Sequence, residues 1–344
     1  MQYILLGTVM FFIGRSILLG DTPSNADYFA QILIYTIVAL GLNLLLGFSG
    51  LVSLATAAFM GISTYGMHIL MENYEVNYFL AALIVLIFAG GLGLLVGVLS
   101  LKMQGIYLAI ATLFVAHVIG ELFRSFEAFN YGESARISEI TFFGETSLSG
   151  YAQDDRIYLM GIVAIGLILA FVVIHNIVKS PSGRAFMAIS RSYHAALAMG
   201  ISVRRYRLLA FMIATIFAAF GGILYLTYMQ STGSVDRNWN LELSLILLAI
   251  VVVGGMKSLP GMLLGAAIII GIPEFFFTPF EEFLQGFGPL ENISLRGFDD
   301  IFTGLLIILT ILFYPYGAIR IISRLKHTVQ SKFQNKPSKG GDAA

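Results

Sequence analysis

The amino-acid sequence predicts an all-α, polytopic integral membrane protein with about ten transmembrane helices, and three observations carry that prediction. Of its 344 residues, 58% are hydrophobic and 12% are charged, with a mean hydropathy of +0.85. Soluble domains carry roughly a quarter of charged residues, and half that share cannot cover a water-soluble globule of this size. Apolar runs of spanning length recur along the chain, each near the roughly 20 residues that a bilayer core requires. Alternating strand-like patterns are absent, which argues against a β-barrel.

The runs fall near 3–20, 28–46, 51–71, 78–100, 105–124, 157–178, 208–230, 241–256, 261–279 and 301–319. The first has no basic leader region and no clear small-residue cleavage site, so it reads as a retained span rather than a signal peptide. Its Arg15 lies near one end, where a long side chain can snorkel to the interface. Two long polar connections differ in charge. Residues 125–155 hold Glu127, Glu133, Glu139, Glu145, Asp154 and Asp155 against Arg136. Residues 179–207 hold Lys179, Arg184, Arg191, Arg204, Arg205 and Arg207 and no acid.

Basic segments stay on the cytoplasmic side, which puts 179–207 and the Lys/Arg-rich tail there. The acidic loop then lies outside, as do residues 280–300 with Glu281, Glu282, Glu291, Asp299 and Asp300. Parity closes with both termini cytoplasmic. The chain divides into a first span and external linker (1–27), a helical membrane domain (28–319) and a basic cytoplasmic tail (320–344).

Several chemistries are missing. With no cysteine, disulfides, thiolate metal sites and cysteine nucleophiles are excluded. No phosphate-binding loop occurs. Gly255-Met256-Lys257-Ser258 imitates its end but lacks glycine directly before lysine, so ATP hydrolysis is not expected of this chain. The five histidines (His68, His117, His175, His194 and His327) are scattered, and neither H-E-x-x-H nor G-x-S-x-G is present. Zero net charge gives no general affinity for nucleic acid. The expectation is a non-enzyme with no metal site.

Polar groups within apolar spans are costly in lipid and are therefore candidate functional residues. His117 and Glu121, four apart, share a helix face. They fit a substrate or proton site, or a satisfied pair between helices. Ser49, Ser53 and Thr56 have the spacing of one helical face, with Asn43 in the preceding run. They fit a path for a polar solute, or hydrogen bonds between helices. Glu274 follows Pro273 and has no assigned role. The pairs Gly93/Gly97 and Gly261/Gly265 have the spacing that lets helices approach closely.

Within 179–207, Pro181 and Gly183 mark a turn. Residues 184–199 predict one short amphipathic helix, stopped by Gly200. Such a helix between two spans fits a groove on a partner, or lies on anionic lipid through its arginines.

Four blocks then resemble the membrane permeases of branched-chain amino-acid ABC importers, LivM type. The first runs from Gly41-Leu42-Asn43 through Gly50-Leu51 and Ser53 to Ala57-Ala58-Phe59 and Gly61. The second is Gly105-Ile106-Tyr107 with Thr112-Leu113. The third is Ser182-Gly183-Arg184-Ala185 with Ala188-Ile189, Ala195-Ala196, Gly200-Ile201 and Arg205-Tyr206. The fourth is Val253-Gly254-Gly255-Met256-Lys257-Ser258-Leu259 with Leu264-Gly265-Ala266 and Pro273-Glu274. They span about 38 to 316, most of the chain.

The resemblance implies an all-α permease subunit of a bacterial inner (plasma) membrane importer, with some helices broken or re-entrant. It implies as partners a second homologous permease, two cytoplasmic ABC ATPases that hold the ATP and magnesium, and an external solute-binding protein. Gly183, Arg184, Ala188, Arg191, Ala195, Ala196 and Gly200 would form the ATPase-coupling segment. Asn43, Ser53, Thr56, His117 and Glu121 are the candidates for the substrate path. Four places depart from the family pattern. Ala55-Thr56 stands for Gly-His, His117 for Glu, Arg191 and Tyr193 for acidic residues, and Asn130-Tyr131-Gly132 for Thr-Gly-Gly. The expected solute is a branched-chain or hydrophobic amino acid. Urea or a short amide is the alternative solute, and a proton-coupled secondary transporter is the alternative mechanism.

Overall fold

Lipid offers no partner to a bare peptide group, so a chain this apolar must satisfy its backbone within helices or closed barrels. The computed structural model describes residues 23–103, 105–137, 140–141, 147–148, 153–273 and 304–305, and these are overwhelmingly helical. The predicted run 3–20, most of 301–319, the loop 280–300, Glu274 and the basic tail lie outside the described residues.

In chain order the helices are α1 (Pro23–Asn43), α2 (Thr56–His68), α3 (Tyr78–Ser100), α4 (Ile106–Ser125), α5 (Gln153–Lys179), α6 (Pro181–Arg191), α7 (Tyr193–Ala198), α8 (Val203–Met229), α9 (Leu241–Gly254) and α10 (Leu259–Ala266). Five-residue π-helical turns extend α1 to Phe48, α2 to Asn73 and α10 to Gly271. An antiparallel pair of two-residue strands, β1 (Ile140–Thr141) and β2 (Ser147–Leu148), decorates the α4–α5 connection. Among the described residues five helices are long and apolar enough to cross a membrane: Ala26–Phe48, α3, α4, Asp155–Lys179 and α8.

Caps fix where several helices begin. Asn77 accepts from Phe79 N ahead of α3, Asn240 from Leu243 N ahead of α9, and Ser258 from Gly261 N ahead of α10. Each satisfies one N–H that a helix start leaves free.

Helix α8 is the centre, packing against α1, α2 and α3. Glycines make the contacts possible. A Cβ on Gly93 would collide with Thr215 Oγ1, one on Gly221 with Val38, and one on Gly222 with Ser63 Oγ and the Met60 carbonyl. A Cβ on Gly97 would stand 3.1–3.3 Å from Leu208 and Phe211. The second small-residue pair closes a different contact: Gly261 and Gly265 lie against the backbone of Gly254 and Ile250, joining α10 to α9 as a tight hairpin. Around the outside, α3 and α4 present Phe88, Leu95, Ile106 and Phe114 outward, as lipid-facing helices must.

Charge sorts by end. Lys102, Arg184, Arg191, Arg204, Arg205 and Lys257 are exposed where α3, α6, α7 and the α9–α10 turn meet. Glu72, Glu75, Glu127, Glu133 and Asp236 are exposed at the opposite end, where they outnumber the exposed Arg124, Arg136 and Arg237. Two expectations change. The run 51–71 is not one helix: residues 49–55 are non-helical, Gly50 takes a left-handed φ of +70°, and α2 starts in the interior at Thr56. Ser49 and Ser53 therefore do not share a helical face with Thr56. The run 241–256 forms a 14-residue helix, about 21 Å long and short of the roughly 30 Å hydrocarbon core.

Replacing Gly222 by Ala should destabilise the bundle by about 1–3 kcal/mol through overpacking. Gly91→Ala, where the added Cβ meets nothing within 4 Å, should be neutral or stabilise by up to about 1 kcal/mol. Thermal unfolding in detergent compares the two.

Candidate functional site

The chain reverses sharply after α5. Ser180 Oγ donates to Ile177 O at 2.6 Å and accepts from Gly183 N at 3.4 Å. Pro181 opens α6, where its missing N–H costs nothing. A Cβ on Gly183 would collide with the Val178 carbonyl, so glycine is what lets α6 fold back against α5. Ala185, Phe186 and Ile189 turn inward, Ala188 is half-buried, and Arg184 and Arg191 face out.

The single helix expected over 184–199 is two helices. Ser192 is extended (φ −157°, ψ 113°), and its Oγ accepts from Ala195 N at 3.3 Å to start α7. The break turns α7 back so that Ala196 packs on Ile189 and Val203, with Tyr193, Ile201 and Tyr206 around them. This small cluster is separate from the main core. Gly200 ends α7 as expected, with φ +76° and an Ile201 N to Ala196 O bond of 3.0 Å. Left uncovered are Ala195, Leu197, Met199 (82% exposed) and Gly200, and Arg184, Arg191, His194, Arg204 and Arg205 of the same segment are exposed as well.

This segment bears on a joint at the same end of the bundle. A Cβ at Gly50 would lie 3.0 Å from Ser190 Oγ of α6. Asn43, a candidate for the solute path, is fully buried. It accepts from Lys257 N at 2.9 Å and donates from Nδ2 to Ser258 O at 3.1 Å. Both functional ends of its amide thus hold the α9–α10 turn, whose Lys257 sits in the left-handed region (φ +69°).

Beyond the joint, the non-helical stretch leads to the interior start of α2. Leu54 N donates to Thr112 Oγ1 of α4 at 3.0 Å, and Ala57 N donates to Ser244 Oγ of α9 at 3.1 Å. Buried Ser53 and Thr56 border a void of about 10 Å³ shared with Phe59, Phe211 and Thr215, room for about one water. On the other side of Phe59, between α3 and α4, an apolar groove of about 750 Å³ opens on the outer face of the bundle, lined by the exposed Leu95, Met103, Tyr107, Phe114 and Val118.

His117 and Glu121 are elsewhere, exposed on α4. Glu121 accepts from Arg124 at 2.7 Å, and Arg124 also bonds Asp236 at 2.6 Å. Such exposed pairs contribute little stability. The structure therefore brings Ser53 and Thr56 together, commits Asn43 to the joint, and sets His117 and Glu121 apart from both. Among the described residues, no three His, Asp or Glu side chains converge to hold a metal ion.

The family profile described as the permease component of the branched-chain amino acid transport system matches residues 25–311. The chain belongs to this family. It is 29% identical to the high-affinity branched-chain amino acid transport permease LivM of Escherichia coli K12 over 339 residues, covering 93% of this chain and 74% of that protein. LivM of Salmonella typhimurium LT2 is 29% identical over 266 residues, 72% of this chain and 62% of that protein. The L-arabinose ABC transporter permease AraH of Azospirillum brasilense is 27% identical over 191 residues, 54% of this chain and 52% of that one. No solved structure matches the chain significantly.

Sequence reasoning missed three groups in this permease. Thr112 and Ser244 anchor the broken segment, and Trp239 packs on α2 further along, its Nε1 donating to Thr232 O at 2.8 Å while its ring faces Gly61. The signal for the first two was a lone hydroxyl in an apolar run.

Asn43→Leu should destabilise the permease by about 1–3 kcal/mol, because it leaves Lys257 N–H and Ser258 C=O unpaired. Asn43→Asp keeps the acceptor and should recover part of the loss. His117→Ala, on the exposed face, should change stability by less than about 0.5 kcal/mol. Melting curves of the three variants in one detergent check the order.

Proposed function

We propose that this permease is the transmembrane subunit of an ATP-driven importer for branched-chain or related hydrophobic amino acids. It would form the solute path together with a second, homologous permease. The observation that carries the reading is the family match over 25–311, with LivM relatives aligned along most of the chain. On this reading the chain itself catalyses nothing. ATP and magnesium belong to two cytoplasmic ATPases, and an external binding protein delivers the solute.

The basic end is the cytoplasmic one, in a bacterial inner membrane with both termini inside. Residues 1–27 are a first span and external linker, 28–319 the permease domain, and 320–344 a cytoplasmic tail. The segment 179–207 is the ATPase-coupling element, using Gly183, Arg184, Ala188, Arg191, Ala195, Ala196 and Gly200. Its exposed Leu197 and Met199 suit an apolar groove on the ATPase, and its arginines suit an acidic rim. Ser53 and Thr56 are the path residues with the best support, being buried together at an interior helix start. Alternating access follows when nucleotide binding favours one of two packings of the bundle.

Deleting 184–200 should abolish solute uptake while leaving membrane insertion intact. Met199→Glu should cut recovery of the ATPases in co-purification, and raising salt from about 0.1 to 1 M, which shortens the Debye length from about 10 to 3 Å, should weaken the wild-type complex. Normal uptake by the deletion variant would overturn the coupling assignment.

A further inference from the structure

Arg207 is the only basic residue of the 179–207 stretch that is buried among the described residues, at 7% exposure. It lies in the first turns of α8, just after the 181–202 segment. Its Nη1 donates to the Ser100 carbonyl at 2.8 Å. That carbonyl belongs to the last turn of α3, where free C=O groups carry partial negative charge. The guanidinium carbon stands 5.3 Å from the centroid of the Tyr193 ring, within cation–π range. Tyr193 is the first residue of α7. One planar cation therefore touches the end of α3 and the start of α7 from a third helix.

This position is expensive. Among the described residues, the buried Nε has no hydrogen-bond partner and no carboxylate is paired with the guanidinium. A buried cation held this way is poor value as a stabiliser, since an apolar side chain of similar volume would avoid the desolvation cost. What it supplies is a fixed spacing between two elements. The Ser100 end of α3 also borders the 750 Å³ surface groove through Leu99 and Met103, so a displacement there reshapes the gap between α3 and α4. The contact from α6 runs to the Gly50 joint, a separate route. Lysine cannot replace the arrangement, because a point ammonium lacks a plane that stacks on the ring while an edge donates to the carbonyl.

We propose that Arg207 is the positioning residue that makes the end of α3 move with the coupling segment. The proposal rests on the permease reading above. It predicts that loss of the Arg207–Tyr193 contact uncouples ATP hydrolysis from uptake rather than lowering both.

The test uses the complete importer, reconstituted in vesicles with its ATPases, second permease and binding protein, and reads solute uptake per ATP hydrolysed. Arg207→Met, Arg207→Lys and Tyr193→Leu should each lower that ratio by about fivefold or more, the low end of typical coupling energies. Tyr193→Phe keeps the ring face and should hold the wild-type ratio. The double variant Arg207→Met/Tyr193→Leu should be no worse than either single one, as expected of a shared contact. Parallel loss of uptake and hydrolysis at a constant ratio marks a merely structural role and overturns the proposal. If Arg207→Met does not insert, the Tyr193→Leu and Tyr193→Phe pair decides alone. A wild-type chain that recruits no ATPase would instead overturn the permease reading, an outcome seen before any variant is compared.

Discussion

The close approach of α1, α2 and α3 to α8 is the constraint on which the other features depend. Lipid tails are as apolar as leucine, so burial of side chains gives these helices little reason to associate. Dispersion must supply the attraction, and dispersion falls off within an ångström of the optimal separation. Gly93 and Gly97 on α3 and Gly221 and Gly222 on α8 remove the side chains that would hold the backbones apart. Hydroxyls then work at the same interfaces. Thr64 donates to the Met60 carbonyl and approaches that of Gly222, and Tyr78 shares a proton with Thr227 at 2.7 Å. A bundle held this way resists gradual deformation, because shifting one helix by an ångström forfeits many contacts together.

The broken segment before α2 becomes tolerable in that setting. Free backbone groups at membrane depth are admissible when protein covers them. Here Thr112 and Ser244 accept from Leu54 and Ala57, and Asn43 satisfies the neighbouring α9–α10 turn. Packing around α8 brings these donors and acceptors within reach although the chain separates them by 58, 187 and 214 positions. The opposite end is closed similarly. The Tyr65 hydroxyl lies within 3.1 Å of the carbonyls of Gly132, Glu133 and Gly233, tying both connecting loops to α2.

What was legible in the sequence follows from the range of the forces involved. Spans register as composition over about 20 residues, so the apolar runs match α1, α3, α4, α5 and α8 closely. Local devices were also legible: the Pro181–Gly183 turn and the Gly200 stop stand where expected. The break at 49–55 was not, because Ser49, Ser53 and Thr56 have helical spacing whether or not a helix joins them. What decides is Gly50 in its left-handed conformation and two hydroxyls from distant helices. The His117–Glu121 spacing correctly puts both on one face of α4, but the Glu121 carboxylate accepts from Arg124 at i+3, which also donates to Asp236 from another loop. In the sequence Arg207 reads as one more basic residue of a cytoplasmic loop, since nothing local distinguishes it from Arg204 and Arg205. Only the arrival of Ser100 and Tyr193 does.

The stretch from α6 to the start of α8, proposed above as the coupling segment, has its own small core, and that shapes how force could pass through it. Ile189, Ala196 and Val203 pack together with Tyr193, Ile201 and Tyr206, so α6, α7 and the start of α8 should tilt as one body rather than bend. Phe186 faces Tyr206 edge-on across the seam with the main core, at 5.9 Å between centroids. A body of this kind needs separate attachment points to drive separate helices. Besides the continuous run of α8 itself, three serve here: the Ser180 turn to α5, the Ser190 contact at the Gly50 joint below α2, and Arg207 at the end of α3. The first is covalent and the second steric. Arg207 alone is a directional polar contact that can hold in tension as well as compression. A segment pushed toward the bundle would displace the joint by contact, whereas pulling away would draw α3 through the guanidinium. The two strokes of an alternating-access cycle would thus act on different parts of the same packed bundle.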